Sequence, residues 1–525
     1  MRAMNMKKAI SKTQLLLATM VAVTLLFTAM AHAAAPGITG TTFNLTAQPA
    51  FLTQPDGQFV YSWGYGCAAG FVPTFAPSAI STGSCGTMQV PGPTLIVTAP
   101  ASGSSTVTVN LANSLPTAAG NTSILFPGFQ VSTSGGVAGL LTQEAAPGGS
   151  VTYTLTIPST AAGTHAYYSG TQGDLQVEMG LYGAIIVIPS AIPGACTSGN
   201  HATNLTAQGH WNEANYRLAA AAYNHPEACY DREYLFQFSE MDPRIHRQAE
   251  EQSTRSCTGC MTVATEPYVP AYFMINGRSM PDLMDPNYAP EYPHQPYNGN
   301  PHMHPGELVL LRVIGTGRWQ HPFHEHGNHV RVLARDGNLI LSATDPNSLA
   351  GPLLFTTTTT PGLTLDGIYY WSGKGLNWDP YGHNAASGST LPCNPDANGY
   401  NTGAPTAINY FEWCQDHNKP LQTHPFGDVA GGGPATLPDP NILANGAWFG
   451  GSPYLGPDAT VRAVGNTGTT PPSGTVANAP DSEAGFAFMW HSHNEREITT
   501  NNIFPGGMLM MMLVDSREFV IDESN

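Results

Sequence analysis

His321-Pro322-Phe323-His324-Glu325-His326-Gly327-Asn328-His329 and, far downstream, Trp490-His491-Ser492-His493 each contain a His-x-His step. On a β-strand, residues i and i+2 share a face. Each step can therefore offer two imidazoles to one ion without bending the backbone. Pro322 predicts a turn or strand end between His321 and His324. If strands far apart in the chain bring the two steps together, they form a four-imidazole site suited to Cu, Zn, Fe or Ni.

The sequence around these stretches has the pattern of strands. Between 38 and 189, the runs 94–98, 105–110, 150–157 and 181–188 alternate or stay apolar. Pro91-Gly92-Pro93, the 146–149 turn and Ala162-Gly163 punctuate them. Short strands at such spacing predict a β-sandwich or barrel. Strand patterns resume at 233–238, 271–277, 307–314, 329–334, 485–490 and 508–514. Helical patterns are confined to 213–223 and 244–255. A stretch rich in Gly, Pro, Asn, Ser and Thr, at about 377–481, is too long for an ordinary connection and reads as an insertion.

Arg2, Lys7, Lys8 and Lys12 precede an apolar run from 15 to 31, and Ala31-His32-Ala33 supplies a small-x-small cleavage pattern. This predicts a secretory signal peptide cut after Ala33. No other apolar run is long enough to span a bilayer. Cleavage would remove four basic residues and no acidic one, taking the formal net charge from −17 to −21. That balance argues against nucleic-acid binding and favours cations. Charged residues make up 10% of the chain, well below the roughly 25% of ordinary domains, which fits an exported, loop-rich β protein.

Eight cysteines in an exported chain predict disulfides. Pairing of sequence neighbours is the simplest scheme: 67–85, 196–229, 257–260 and 393–414. Spacing alone leaves the connectivity open. Cys257-Thr258-Gly259-Cys260 lacks a second Cys-x-x-Cys and is followed by Met261, so a local structural bridge is expected rather than a zinc or haem site.

With these residues in view, the chain resembles the multicopper oxidase family, built from cupredoxin domains. Pro91-Gly92-Pro93, Gly180-Leu181-Tyr182-Gly183 and Ile275-Asn276-Gly277 resemble family signatures. The late His-Pro-x-His-x-His-Gly motif stands complete at 321–327, and the final His-Cys-His…Gly-Met motif is recognisable at 491–493 and 507–508. The resemblance implies a metal set drawn from His324, His326, His491, His493, His321 and Met508, and copper as the cofactor.

The departures are specific. Ser492 stands where the family has the thiolate of its blue copper centre, and Glu497 where it has a second histidine, so a blue (type 1) copper is not expected. The first half has no His-x-His at 123–129, and only His165 at 163–170. The sequence thus describes a degenerate family member with ligands for one or two ions.

The expected fold is all-β: signal peptide 1–33, a cupredoxin-like Greek-key sandwich 34–192, a connector 193–231, and a second sandwich 232–525 enlarged by the insertion. Three cupredoxin domains are the alternative, because so much chain follows Asp231. The expected function is that of an exported (secreted or periplasmic) copper oxidoreductase, oxidising a metal ion or small organic donor with dioxygen. A non-catalytic metal-binding or assembly protein is the second reading. A zinc hydrolase using Glu325 or Glu495 as base is the third. The family's two-domain members imply a homo-oligomer. His302-Met303-His304, with His294 nearby, reads as a solvated loop or a supplementary metal site; Met508, Met510, Met511 and Met512 could offer thioethers to copper, but alternate core packing on an apolar strand is the stronger reading.

Overall fold

The computed structural model describes residues 35–76, 85–197, 220–375, 391–403, 407, 409–416, 451–454, 460–461, 476–477, 485–515 and 521. The leader 1–33, most of the 377–481 stretch and residues 213–219 of the expected helix lie outside the described residues.

Alternating sequence dictates the first sandwich. Along strand Ser150–Pro158, Val151, Tyr153, Leu155 and Ile157 are buried while the threonines between them face outward. One sheet runs in the order Phe59–Cys67, Thr42–Thr53, Ser104–Asn113, Ser150–Pro158, Gln130–Gly135. The facing sheet runs Gly163–Tyr168, Tyr182–Ile188, Leu95–Thr98, Gly37–Thr39, Thr74–Ala76. Trp63, Tyr65, Tyr153 and Tyr167 fill the space between. Each fully buried aliphatic side chain of this core contributes about 1.5–3 kcal/mol.

The second sandwich pairs a sheet of Tyr272–Ile275, Arg232–Met241, Leu308–Gly315, Thr364–Tyr370, Val330–Arg335 and Asn338–Leu339 with a second sheet. That sheet runs His302–Met303, Leu509–Asp515, Gly485–Ser492, His321–Glu325, Thr356–Thr359. Phe236, Phe323, Trp490, Met508, Met510 and Met512 are buried between them, so the methionines pack as the alternation predicts. The two His-x-His strands are neighbours and antiparallel, with His324 directly opposite His491.

The two halves interlock. Helix Pro243–Gln252 starts on an Asp242 cap, whose carboxylate accepts from the Arg244 N–H, with Pro243 at the first helical position. It lays Ile245 and Ala249 into the core of the first sandwich. Arg312, fully buried, pairs with Glu233 and donates to Thr164 Oγ1 at 2.9 Å, while Thr164 donates to Asp366.

Three local expectations change. Pro322 does not end a strand; it sits inside His321–Glu325 opposite Thr358, and its carbonyl accepts the His493 N–H at 2.8 Å. The described end of the expected 213–223 helix is extended: Ala220–Ala221 pairs with Cys229–Tyr230, beside the Cys196–Cys229 bridge. His302 and His304 are buried rather than solvated, held by the Asp515 carboxylate at 2.6 Å and its carbonyl at 3.3 Å.

Candidate metal centre

Strand register brings the imidazoles together. The ring centroids of His324 lie 4.8 Å from His326, 5.6 Å from His491 and 5.0 Å from His493. Nε2 of His326 and Nε2 of His491 are 3.2 Å apart. Among the described residues, His324, His326 and His491 form the one group whose ligand atoms all lie within 4.8 Å of one another. His493, exposed, stands at the rim of this group, 5.7 Å from His491 by ring centroids.

The second atoms of the rings are oriented. Thr356 Oγ1 engages His324 Nδ1 at 2.8 Å, and the Ser492 carbonyl accepts from His491 Nδ1 at 2.7 Å. Nε2 is therefore the coordinating nitrogen that these two rings present, with the opposite nitrogen fixed as metal-binding histidines require. Two core aromatics hold His326 by its backbone: Trp490 Nε1–H and Tyr369 Oη–H both donate to its carbonyl, at 3.0 and 3.1 Å. Gly327 follows with φ +98°, where a Cβ would lie 2.2 Å from the Tyr369 hydroxyl. Only glycine satisfies both demands.

Electrostatics favour neutral imidazoles here. Burial, and then the neighbouring His326, pull His324 down to about 4; burial also lowers His491. Glu325, between two of the ligands in sequence, points to the opposite face of its strand. There it accepts from Thr357 Oγ1 at 2.7 Å, and burial pushes its carboxyl up to about 8. It is out of place as a base at the cluster. Glu495 is exposed.

His321 and Met508 do not join the cluster. His321 lies one face away from His324, and both its ring nitrogens are held: Nδ1 by Glu497 Oε2 and Nε2 by Glu240 Oε2, each at 2.9 Å, with all three side chains at most 1% exposed. Burial disfavours its charge, but the two carboxylate hydrogen bonds outweigh that and raise it to about 9. Glu240 also accepts the Trp319 N–H at 2.9 Å, and Glu497 accepts from the Ser492 hydroxyl and from Asn494 Nδ2. Met508 is wholly buried in the second core. Glu240 was not among the sequence candidates; its only signal was an acid inside an apolar strand.

All eight cysteines are in disulfides, Cys67–Cys85, Cys196–Cys229, Cys257–Cys260 and Cys393–Cys414, the simplest expected scheme. None is left as a thiolate ligand. In the first half, His165 Nε2 pairs with the Ala161 carbonyl at 3.0 Å and packs on Phe129.

The family model described as multicopper oxidase matches residues 84–191. That match covers about a fifth of the chain, all of it in the first half. No curated protein matches the chain. Solved structures similar to it include the blue copper oxidase from Nitrosomonas europaea, at 15% identity over 90% of this chain and 85% of that one, TM-score 0.43. The laccase from Botrytis aclada is similar at 18% identity over 64% of this chain and 47% of the other, TM-score 0.37. Each half of the chain is a β-sandwich, the all-β class expected from the sequence. Of the positions that the resemblance assigns to a mononuclear copper, His321, Ser492 and Glu497 are hydrogen-bonded into one network with Glu240, and Met508 is packed in the core.

Proposed function

We propose that this is an exported oxidoreductase of multicopper oxidase type that holds a single copper ion through His324, His326 and His491, with His493 at the rim. The observation that carries this is the 3.2 Å separation of the His326 and His491 Nε2 atoms. A metal–nitrogen bond of about 2.0 Å sets tetrahedral ligand edges of roughly 3.3 Å, so this pair of nitrogens already has the spacing of two ligands on one ion, with His324 within 4.8 Å of both.

Copper, when bound, supplies one-electron chemistry between a donor and dioxygen. The chain's part is to present neutral nitrogens. Thr356 and the Ser492 carbonyl orient two rings, Trp490 and Tyr369 anchor the third, and depressed basicity keeps protons off His324 and His491. With no cysteine to relay electrons, the donor, a metal ion or small organic molecule, must meet the centre directly. The four disulfides suit an oxidising, extracytoplasmic compartment, and no described helix is long and apolar enough to cross a membrane.

A second reading rests on that same lack of a thiolate: a metal-holding protein on this fold without turnover. Copper loading followed by metal analysis and dioxygen uptake with phenols, Fe(II) or Mn(II) separates the two. Bound copper with uptake supports the oxidoreductase. Bound copper without uptake supports the holder, and no copper refutes both.

A further inference from the structure

We propose that Phe355 and His329 seat the electron donor at this centre, the donor's ring packing on Phe355 and its proton passing to His329 as its electron leaves. The inference rests on the oxidoreductase reading above and adds to it two residues that the metal cluster does not use.

Phe355 is 43% exposed. Its ring centroid lies 5.8 Å from His324 and 5.1 Å from His329, and both imidazoles meet it edge-on. An exposed phenyl thus stands between a metal ligand and a further imidazole. Its backbone is fixed, because the Phe355 carbonyl accepts the Glu325 N–H at 3.1 Å. His329, half-buried, is fixed as well. Its N–H donates to Asn328 Oδ1 at 2.8 Å, and Asn328 Nδ2 donates to the Tyr370 carbonyl at 2.7 Å. Both ring nitrogens of His321 are held by carboxylates. The His329 ring, among the described residues, meets only Phe355, so its nitrogens face what enters beside that ring.

Chemistry selects the occupant. A phenyl ring offers no ligand to a metal-ion donor, and neither does Leu353, 55% exposed two residues earlier. An aromatic ring gains by packing offset or edge-on against Phe355. A phenol or aromatic amine seated there gives one electron to oxidised copper and one proton to a His329 ring nitrogen. It leaves as a neutral radical, and dioxygen restores the copper. Imidazole suits the task because it exchanges a proton near neutral pH.

Dioxygen uptake by the copper-loaded mature protein is compared for guaiacol and for hexacyanoferrate(II), a donor with neither ring nor proton to lose. His329→Gln should lower kcat for guaiacol about 100-fold and leave hexacyanoferrate(II) unchanged, with copper content as in wild type. Phe355→Ala should raise KM for guaiacol about 5- to 10-fold; Phe355→Leu, which loses the ring but keeps apolar bulk, serves if it fails to fold. Binding of para-nitrophenol, a poor donor whose visible band reports loss of its proton, is read without turnover on protein with and without copper. Its ionised fraction should rise on binding to wild type and not to His329→Gln. Variants that slow both donors alike, or neither, overturn the proposal, as does para-nitrophenol bound without regard to these two residues. No bound copper, or no turnover with either donor, overturns the oxidoreductase reading instead, and para-nitrophenol binding still decides this one.

Discussion

Nε2 of His326 and Nε2 of His491 face each other at 3.2 Å across 165 residues of sequence. Two imidazole nitrogens gain nothing from such proximity except a shared proton or a shared cation. A third imidazole, His324, within 4.8 Å of both, and the fixed orientation of the His324 and His491 rings argue for the cation. Replacing His326 or His491 by Ala removes one of three ligands and should lower copper affinity by at least about 100-fold, more than losing an outer partner does. Competition titration against a chelator of known affinity measures it, and unchanged affinity would refute the placement.

Thr356 acts on the metal only through His324, by the 2.8 Å hydrogen bond to Nδ1. Thr356→Val keeps the shape and β-propensity of the residue but frees the ring. Affinity should fall about 10–100-fold with the thermal midpoint little changed. A fall in stability without loss of affinity would make the contact merely structural.

His321 should behave in the opposite way. Its ring separates two buried carboxylates, so His321→Leu leaves them facing each other without their cation. The expected cost is about 3–5 kcal/mol of stability, read from urea midpoints. Copper content per folded molecule should not change, because His321 lies outside the cluster.

The same residues set an unusual pH dependence. His321 is raised to about 9, so the stability it provides is full below its ordinary value near 6.5 and is lost as pH climbs through about 9. Glu325 is a carboxyl raised to about 8. It folds protonated, and its burial costs progressively more as pH rises from about 4.5 to about 8. Both effects lower stability on the alkaline side. The midpoint should drop between pH 6 and pH 9, and Glu325→Gln, neutral throughout, should flatten the part of the fall below pH 8.

Much of the site was legible in the sequence because strand periodicity is simple: His324 and His326, like His491 and His493, are two residues apart. Adjacency of the two strands was not legible, because nothing in the local pattern of either names its neighbour; the register that sets His324 opposite His491 supplies it. The fate of His321 was not legible, since one partner, Glu240, lies 81 residues upstream on a strand of the other sheet. Pro322 misled for a related reason. A missing N–H breaks a strand only where that N–H is needed, and here the residue's carbonyl carries the bond to His493. The alanine run 219–222 favours helix by propensity, yet pairing of Ala220–Ala221 with Cys229–Tyr230 beside a disulfide outweighs a few tenths of a kcal/mol per residue.

X-ray absorption at the copper edge of the loaded protein, wild type beside His326→Ala/His491→Ala, tests the central claim most directly. The expected wild-type spectrum shows three or four imidazole nitrogens at about 2.0 Å, no sulfur, and loss of bound copper in the double variant. A copper–sulfur shell, or an unaltered nitrogen shell in the double variant, would contradict it.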